Sequence, residues 1–114
     1  MTSSDAHGSP SYVELCVPDA DAARRFYGKL LGWRPAGSSG PGAVETGSLG
    51  IGIHDRDDSA IFEVFFAVDE LDAALARLDE LGGRRVSEIN DGGDFGRWIE
   101  CADDQGVRFG LRER

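Results

Sequence analysis

The sequence predicts an α+β fold in which a βαβββ module occurs twice. The main observation is an internal repeat: residues 12–34 read YVELCVPDADAARRFYGKLLGWR, and residues 63–85 read EVFFAVDELDAALARLDELGGRR. Each copy begins with alternating apolar residues, typical of a strand, and continues with apolar residues at helical spacing. Short apolar runs and glycine-rich turns follow each copy, which indicates three further strands per module.

We therefore expect one folded domain over residues 11–114, with a first module at about 11–58 and a second at about 59–112. A chain of this length can bury a core without disulfides or a metal. The segment MTSSDAHGSP, residues 1–10, is small, polar and without periodicity, so we expect a disordered tail there.

The first module begins with a predicted strand over residues 12–17, which Pro18 ends. Asp19 is suited to cap the following helix, and Gly32 is suited to end it. The apolar stripe of this helix, which we expect to pack in the core, consists of Ala22, Ala23, Phe26, Tyr27, Leu30 and Leu31. After the helix, we expect short strands around Trp33 and over residues 43–46 and 49–54.

The second module begins with a predicted strand over residues 61–68, and its helix begins at Asp69 or Glu70. Leu71, Ala74, Leu75, Leu78 and Leu81 form the apolar stripe of this helix, and Gly82 and Gly83 close it. Three more strands are expected over residues 84–89, 95–102 and 107–111, with turns at residues 90–93 and 103–106.

The composition excludes several classes of function. The chain has 21 acidic and 12 basic residues, a formal net charge of −9 and no basic cluster, so we expect neither nucleic acid nor a membrane surface as a partner. No apolar run is long enough to span a membrane, and a cytoplasmic location follows as the default. Cys16 and Cys101 are expected to be buried, reduced thiols. The charge favours a cationic or neutral ligand only weakly, and the preferred interpretation is a charge that keeps the protein soluble.

The FYGKLLGW end of the first helix and the DDQGVRFGL hairpin near the C-terminus, in this order and spacing, resemble the vicinal oxygen chelate superfamily. This superfamily includes glyoxalase I, extradiol dioxygenases and bleomycin resistance proteins. The resemblance implies two βαβββ modules that form a cupped, partly open β-sheet barrel with the helices outside. It also implies a homodimer, with a small-molecule ligand held in the cup.

In metal-dependent members of the superfamily, His and Glu side chains at four positions hold a divalent ion. The resemblance puts three of these positions at Tyr12, Glu63 and Gly110, and the remaining one near His54 in the stretch GIGIHDR. Glycine offers no ligand atom, and a neutral tyrosine is a poor ligand. We therefore expect no metal and no cofactor, with a weak site at His54 and Glu63 as the open alternative.

Side chains alternate between the two faces of a strand, and this alternation predicts which residues face the cup. Glu14 and Glu63 are candidate acid/base catalysts, because a carboxylate in a partly apolar cavity can exchange protons with a substrate. The candidate ligand-binding residues are Tyr12, Cys16, Phe65, Trp98, Glu100 and Arg108, with Trp33 as a further aromatic wall. The sequence does not settle whether Trp98 and Glu100, or their neighbours Arg97 and Ile99, face the cup.

Structural interpretations of the same residues stay open. Glu14 can be an exposed carboxylate, Glu63 can form an ion pair with Arg108, and His54 can be a plain loop residue. Phe65 and Trp98 can pack in the core or at a dimer interface.

Two functions compete. The first is a metal-independent protein that binds a small organic molecule, such as a drug or natural product, without turning it over, as bleomycin resistance proteins do. The alternative is a non-metal isomerase, lyase or cyclase that uses a carboxylate of the cup as acid or base. A metal-dependent glyoxalase or dioxygenase is the least favoured hypothesis, because of Tyr12 and Gly110.

Overall fold

The computed structural model describes residues 6–35, 43–47 and 49–114. It confirms the α+β class and the βαβββ order of both modules. The elements are β1 (Pro10–Cys16), α1 (Ala20–Leu31), β2 (Arg34–Pro35), β3 (Ala43–Glu45), β4 (Gly50–His54), β5 (Ile61–Val68), α2 (Leu71–Glu80), β6 (Arg84–Arg85), β7 (Trp98–Ala102) and β8 (Arg108–Glu113). The chain divides into two compact units, Tyr12–Glu63 and a second one that joins Val64–Arg114 to the described residues before Tyr12.

In the first unit, the strands follow the order β2-β3-β4-β1, and β1 and β4 run parallel. One face of this sheet carries Leu15, Ile53 and Val44, which pack against Ala20 and Ala23 of α1. These contacts form the core of the first unit, because all five side chains are buried.

Helix α1 begins and ends as predicted. The Asp19 side chain accepts a hydrogen bond from the Ala22 amide at 3.1 Å, and Gly32 ends the helix in the left-handed region at φ 79°. A second carboxylate helps, because Asp55, directly after β4, accepts from the Ala20 amide at 2.7 Å.

The prediction that Phe26 packs in the core is wrong, since 59% of this residue is exposed. Leu30 and Leu31 are exposed as well. The side chains of α1 that pack in this core are Ala20, Ala23 and, partly buried, Tyr27. Tyr27 is half-buried, and its ring stacks on Trp33 with the centroids 5.0 Å apart. Trp33 is therefore part of the packing around α1.

The second unit repeats the arrangement, with the strand order β5-β8-β7-β6 and a parallel pair of β5 and β8. Its core contains the buried residues Val68, Leu71, Leu75, Leu78, Ile99, Cys101 and Leu111. Most of the predicted stripe of α2 is thus confirmed, but Leu81 lies just beyond the helix and is 68% exposed.

Helix α2 begins after Glu70, as predicted, yet the Glu70 side chain makes no capping hydrogen bond. Instead, the carboxylate of Glu113 at the end of β8 accepts from the Leu71 amide at 2.8 Å. The same carboxylate accepts two hydrogen bonds from the Arg97 guanidinium, both at 3.1 Å. The pKa of Glu113 is lowered chiefly by these hydrogen bonds.

Three predicted strands of the second module have different boundaries in the structure. The strand predicted over residues 84–89 is reduced to Arg84–Arg85, because the amides of Val86 and Ser87 both point at the carbonyl of Glu100 and the regular ladder stops. The strand predicted over residues 95–102 begins only at Trp98, because Gly93–Phe95 form a 3-10 turn that Gly96 ends at φ 94°. The last strand extends to Glu113.

Residues 1–5 of the predicted tail lie outside the described residues. In the described part, the Gly8 amide donates to the carbonyl of Ala67 at 2.7 Å, and Pro10 begins β1. Both cysteines are free and buried, as predicted. Among the described residues, neither helix has the length and apolarity needed to span a membrane.

The double role of Glu113 gives a first prediction. Glu113→Ala removes both the helix cap and the partner of Arg97, so we expect a clear decrease in the urea midpoint of unfolding. Glu70→Ala is the matched control and should leave the midpoint unchanged. Because the pKa of Glu113 is lowered, its stabilisation is complete above its ordinary pKa of 4.5 and is lost as the pH falls through the lowered value. The difference in the free energy of unfolding between the wild type and Glu113→Ala should therefore become smaller at acidic pH. A difference that does not change with pH contradicts this role of Glu113.

Candidate functional site

The face of the second unit that lies opposite α2 is built around Gly110. In the parallel pair of β5 and β8, Gly110 is the partner of Phe65, and in the antiparallel pair of β7 and β8 it is the partner of Glu100. Alternation then assigns Trp98, Arg108 and Arg112 to the same face. The opposite face carries Ile99 and Leu111, which pack against α2. The structure thus settles that Trp98 and Glu100 point away from the helix.

This surface, which we call the aromatic face, consists of Phe65, Phe95, Trp98, Glu100, Arg108 and Arg112. The buried Phe65 ring meets Trp98 edge-on at 5.7 Å between centroids and Phe95 at 6.1 Å. Phe65 therefore acts as the packed floor under the half-buried Trp98. The Arg112 guanidinium lies over the Phe95 ring at 4.2 Å, and its Nε donates to the Phe95 carbonyl at 2.9 Å.

The charges of the aromatic face do not follow the net charge of the chain. Glu100 forms an ion pair with Arg108 at 3.4 Å, and both side chains are about one third exposed. Arg112 adds a second positive charge. The aromatic face therefore carries charges of both signs, and its two arginines can donate hydrogen bonds to acceptor oxygens.

In the first unit, the sheet face opposite α1 carries Tyr12, Glu14 and Cys16 on β1, beside Gly52 and His54 on β4. The Tyr12 hydroxyl donates to Glu14 Oε1 at 2.7 Å, and both residues are half-buried. Glu14 is therefore neither free nor fully exposed. This pair places a proton donor directly beside a carboxylate, which is an arrangement that acid/base chemistry can use.

The two faces have equivalent glycines. Glu14 is opposite Gly52 in β1 and β4, and Phe65 is opposite Gly110 in β5 and β8. The sequence after each glycine is also similar, GIHDR against GLRER. The superfamily position that we assigned near His54 therefore falls on Gly52, by equivalence with Gly110.

Neither glycine can take a Cβ atom unless a neighbouring side chain moves. A Cβ atom at Gly110 would lie 2.3 Å from the Phe65 ring, and one at Gly52 would lie 1.8 Å from the Tyr12 hydroxyl and 2.8 Å from Glu14 Oε1. At two of the four superfamily positions, then, the space that a metal-binding side chain needs is filled by a neighbour. Of the other two, Tyr12 is engaged with Glu14, and Glu63 is completely buried in β5. These residues do not fit the His and Glu set of the metal-dependent members.

A different set of possible metal ligands lies at the far end of β1 and β4. One ligand atom each from Cys16, His54 and Asp57 lies within 4.8 Å of the others, the only such trio in the described part of the chain. His54 Nδ1 is 2.9 Å from Asp57 Oδ2. Burial raises the pKa of the Cys16 thiol to about 12, with Asp57, Glu14 and Glu63 adding to the shift. Hydrogen bonds from Ser59 hold the pKa of Asp57 well below its usual range.

The structure thus groups the predicted site residues within each unit: Tyr12, Glu14 and Cys16 in the first, and Phe65, Trp98, Glu100 and Arg108 in the second. Their roles stay predictions. Sequence reasoning missed Phe95 and Arg112 as parts of the aromatic face. The signal for Arg112 was present, because it shares the parity of Arg108 and Gly110. The predicted strand over residues 95–102 would put Phe95 on the face of Ile99 by alternation, whereas Phe95 lies in the 3-10 turn before β7.

Two βαβββ modules define a class of small α+β proteins. In each module, the sheet face opposite the helix carries the candidate site residues. The chain belongs to the Glyoxalase/Bleomycin resistance protein/Dioxygenase superfamily, which it matches over residues 9–111. The resemblance noted from the sequence is thereby confirmed.

Two curated relatives are each 30% identical to this chain. They are "Putative glyoxylase CFP32" of Mycobacterium tuberculosis, which aligns with 91% of this chain and 45% of its own length, and "Anthracycline biosynthesis protein DnrV" of Streptomyces peucetius, with 93% and 47%. The chain thus spans about half the length of these relatives. A solved structure, methylmalonyl-CoA epimerase from Mycobacterium tuberculosis, is similar with a TM-score of 0.65, 23% identity and coverage of 99% of this chain and 91% of that one. At this identity the likeness shows the fold alone.

The close approach of Gly110 and Phe65 gives a second prediction. Gly110→Ala should destabilise the protein by about 1–3 kcal/mol, because the new methyl group overlaps the Phe65 ring. Gly50→Ala is the matched control, since a Cβ there meets Tyr12 at an ordinary 3.6 Å, and it should change the free energy of unfolding by less than about 0.5 kcal/mol.

The double variant Phe65→Leu/Gly110→Ala tests the cause. In a double-mutant cycle by urea unfolding, the shorter leucine should remove about half or more of the Gly110→Ala penalty. If Gly110→Ala lowers the free energy of unfolding by the same amount in the wild type and in Phe65→Leu, the steric explanation is contradicted.

Proposed function

We propose that this protein binds a flat aromatic organic molecule on the aromatic face of its second module and needs no metal at the four superfamily positions. The observation that carries the proposal is the state of Gly52 and Gly110. Both lack ligand atoms, and the space beside them is taken up by Tyr12, Glu14 and Phe65. This supports a binding surface in place of a metal centre.

The aromatic face supplies the contacts that such a ligand requires. Trp98 is half-buried and held edge-on by Phe65, so its ring is fixed at little further cost in conformational entropy. A planar ring system gains dispersion and apolar burial against Trp98 and Phe95. Arg108 and Arg112 lie on the same face and favour carbonyl, phenolate or carboxylate oxygens on the ligand. We therefore prefer a polycyclic quinone or a related aromatic polyketide to the cationic ligand that the net charge suggested.

The relatives support this ligand class. One of them is named for anthracycline biosynthesis, and anthracyclines are planar polycyclic quinones. A natural-product ligand of this kind also agrees with the bleomycin-resistance type of function, in which a small organic molecule is sequestered without turnover.

The test uses anthraquinone-2-carboxylate, a flat quinone with one carboxylate, as the probe. It should quench tryptophan emission on binding, and Trp98→Leu should weaken binding about tenfold, roughly 1.4 kcal/mol, because the ring contact is lost. Trp33→Leu is the matched control, since Trp33 packs against Tyr27 in the other module. The affinity of Trp33→Leu for the probe should equal that of the wild type. Both variants are measured at a temperature where circular dichroism shows that they are folded.

Two further comparisons sharpen the test. Treatment with EDTA should leave the affinity unchanged, and anthraquinone-2-carboxamide should bind more weakly than the carboxylate. Saturable binding that Trp98→Leu does not weaken, or that EDTA abolishes, overturns the proposal.

A second candidate is proton transfer by Glu14, which the 2.7 Å hydrogen bond from the Tyr12 hydroxyl favours. In this hypothesis the protein isomerises or cyclises an aromatic polyketide, with Glu14 as the base and Tyr12 as its partner. Incubation with a polyketide carrying an acidic C–H bond in D₂O should then show deuterium uptake by mass spectrometry. Glu14→Gln should reduce the exchange rate at least a hundredfold, and Tyr12→Phe should reduce it less. Glu63→Gln tests the other carboxylate candidate. If Glu14 is the base, this variant should retain deuterium exchange. No exchange above the protein-free rate leaves binding as the function.

A further inference from the structure

Three side chains of the first module converge at the end of the β1–β4 pair, four residues past Tyr12 on β1 and two residues past Gly52 on β4. Cys16 and His54 are direct partners in the parallel register, so their side chains leave the sheet side by side. The carboxylate of Asp57 meets them from the loop that follows β4. All three ligand atoms lie within 4.8 Å of one another.

The loop that supplies Asp57 is held in place by backbone hydrogen bonds. The Asp57 amide donates to the Val17 carbonyl at 2.9 Å, and the Arg56 amide donates to the Pro18 carbonyl at 3.2 Å. Arg56 takes the left-handed conformation, φ 54°, that turns the chain back towards β1. The position of Asp57 is therefore fixed by the same contacts that fix the end of β1.

The carboxylate of Asp57 is also oriented. Its Oδ1 accepts from the amide of Ser59 at 2.9 Å and from the hydroxyl of Ser59 at 2.5 Å, while Oδ2 points to His54 Nδ1 at 2.9 Å. One oxygen is thus occupied by supporting hydrogen bonds, and the other faces the cluster. This is how supporting hydrogen bonds orient a carboxylate ligand in metal sites.

The second module shows what the fold itself requires at these positions. There, the equivalent register pair is Ala67 and Arg112, and the chain folds in the same βαβββ arrangement. Because the second module folds with a methyl group and a guanidinium at this pair of positions, the βαβββ fold does not require a thiol and an imidazole there. Cys16 and His54 are a departure that is specific to the first module.

We infer that Cys16, His54 and Asp57 form a binding site for a zinc-class divalent cation, distinct from the four superfamily metal positions. One thiolate, one imidazole and one carboxylate form a ligand set that suits Zn²⁺. In a tetrahedral site, ligand atoms at ordinary bond lengths lie about 3.5 Å apart, so the cluster needs only small side-chain shifts. On binding, the Cys16 thiol gives up its proton to solvent, and the ion replaces the hydrogen bonds within the cluster.

The fourth coordination position faces solvent. The His54 side chain is 61% exposed, while Cys16 is only 2% exposed, so an ion held between them would have one open side. An open position leaves room for a water molecule or a small anionic ligand.

The test uses Co²⁺ as a spectroscopic substitute for Zn²⁺ on the full chain after EDTA treatment. Titration should produce a thiolate-to-cobalt charge-transfer band in the near ultraviolet and tetrahedral d–d bands in the visible, saturating at one ion per chain. Added Zn²⁺ should remove both. Cys16→Ala should abolish the charge-transfer band, and His54→Arg or Asp57→Asn should weaken Co²⁺ binding at least tenfold.

The chain offers matched controls, because it contains one further cysteine and one further histidine. Cys101→Ala and His7→Ala should leave the spectrum and the affinity unchanged. The double variant Cys16→Ala/His54→Arg copies Ala67 and Arg112 of the second module, so it should fold by circular dichroism and bind no Co²⁺.

A charge-transfer band that survives Cys16→Ala, or Co²⁺ spectra without thiolate ligation in the wild type, overturns the inference. Co²⁺ binding by Trp98→Leu, the variant that tests the proposed function, is a separate readout. Its Co²⁺ spectrum and affinity should equal those of the wild type, so a failure of the cation site and a failure of the proposed function can be told apart.

Discussion

In each module, a glycine on the fourth strand lies directly beside a large side chain of the first strand, and the rest of the module is arranged around this contact. Gly110 lies under the ring of Phe65, and Gly52 lies under the Tyr12 hydroxyl and the Glu14 carboxylate. Because interiors are closely packed, a Cβ at either glycine would push the neighbouring side chain out of the sheet face. The space beside each glycine is therefore taken by a side chain of the first strand, which limits the chemical groups that the face can present.

The register set by these glycines also fixes the helices. Three residues after each glycine, a carboxylate accepts a hydrogen bond from the first amide of the helix: Asp55 for Ala20 and Glu113 for Leu71. The first amides of a helix lack partners within it, so an acceptor from the neighbouring strand stabilises the start of the helix and ties it to the sheet. A shift of one residue in the register would lose both the glycine contact and the cap.

Much of this arrangement could be predicted from the sequence, but not the glycine contact itself. The strand and helix of each repeat were found because alternation and helical periodicity are strong over 23 residues. The similarity of GIHDR and GLRER becomes evident only once β1 is paired with β4 and β5 with β8, because the two segments are short and glycine weakens the strand signal. Phe26 was assigned to the core wrongly, because periodicity identifies the apolar side of a helix but not how much of it the sheet covers. Phe95 was missed because the predicted strand began at residue 95, and the 3-10 turn that replaces its first part breaks the alternation.

The two modules keep one framework and place different chemistry on it. The position beside the helix start is Cys16 and His54 in one module, and Ala67 and Arg112 in the other. The position beside the glycine is Glu14 in one and Phe65 in the other. Since the glycines and the capping carboxylates are shared, the fold does not account for these differences. A duplicated module in which the framework is kept while the exposed positions diverge is therefore more informative than either half alone, because each half is the control for the other. On this argument, we propose that functional differences reside in the ionic and thiol-containing groups of the first module and in the aromatic and arginine groups of the second.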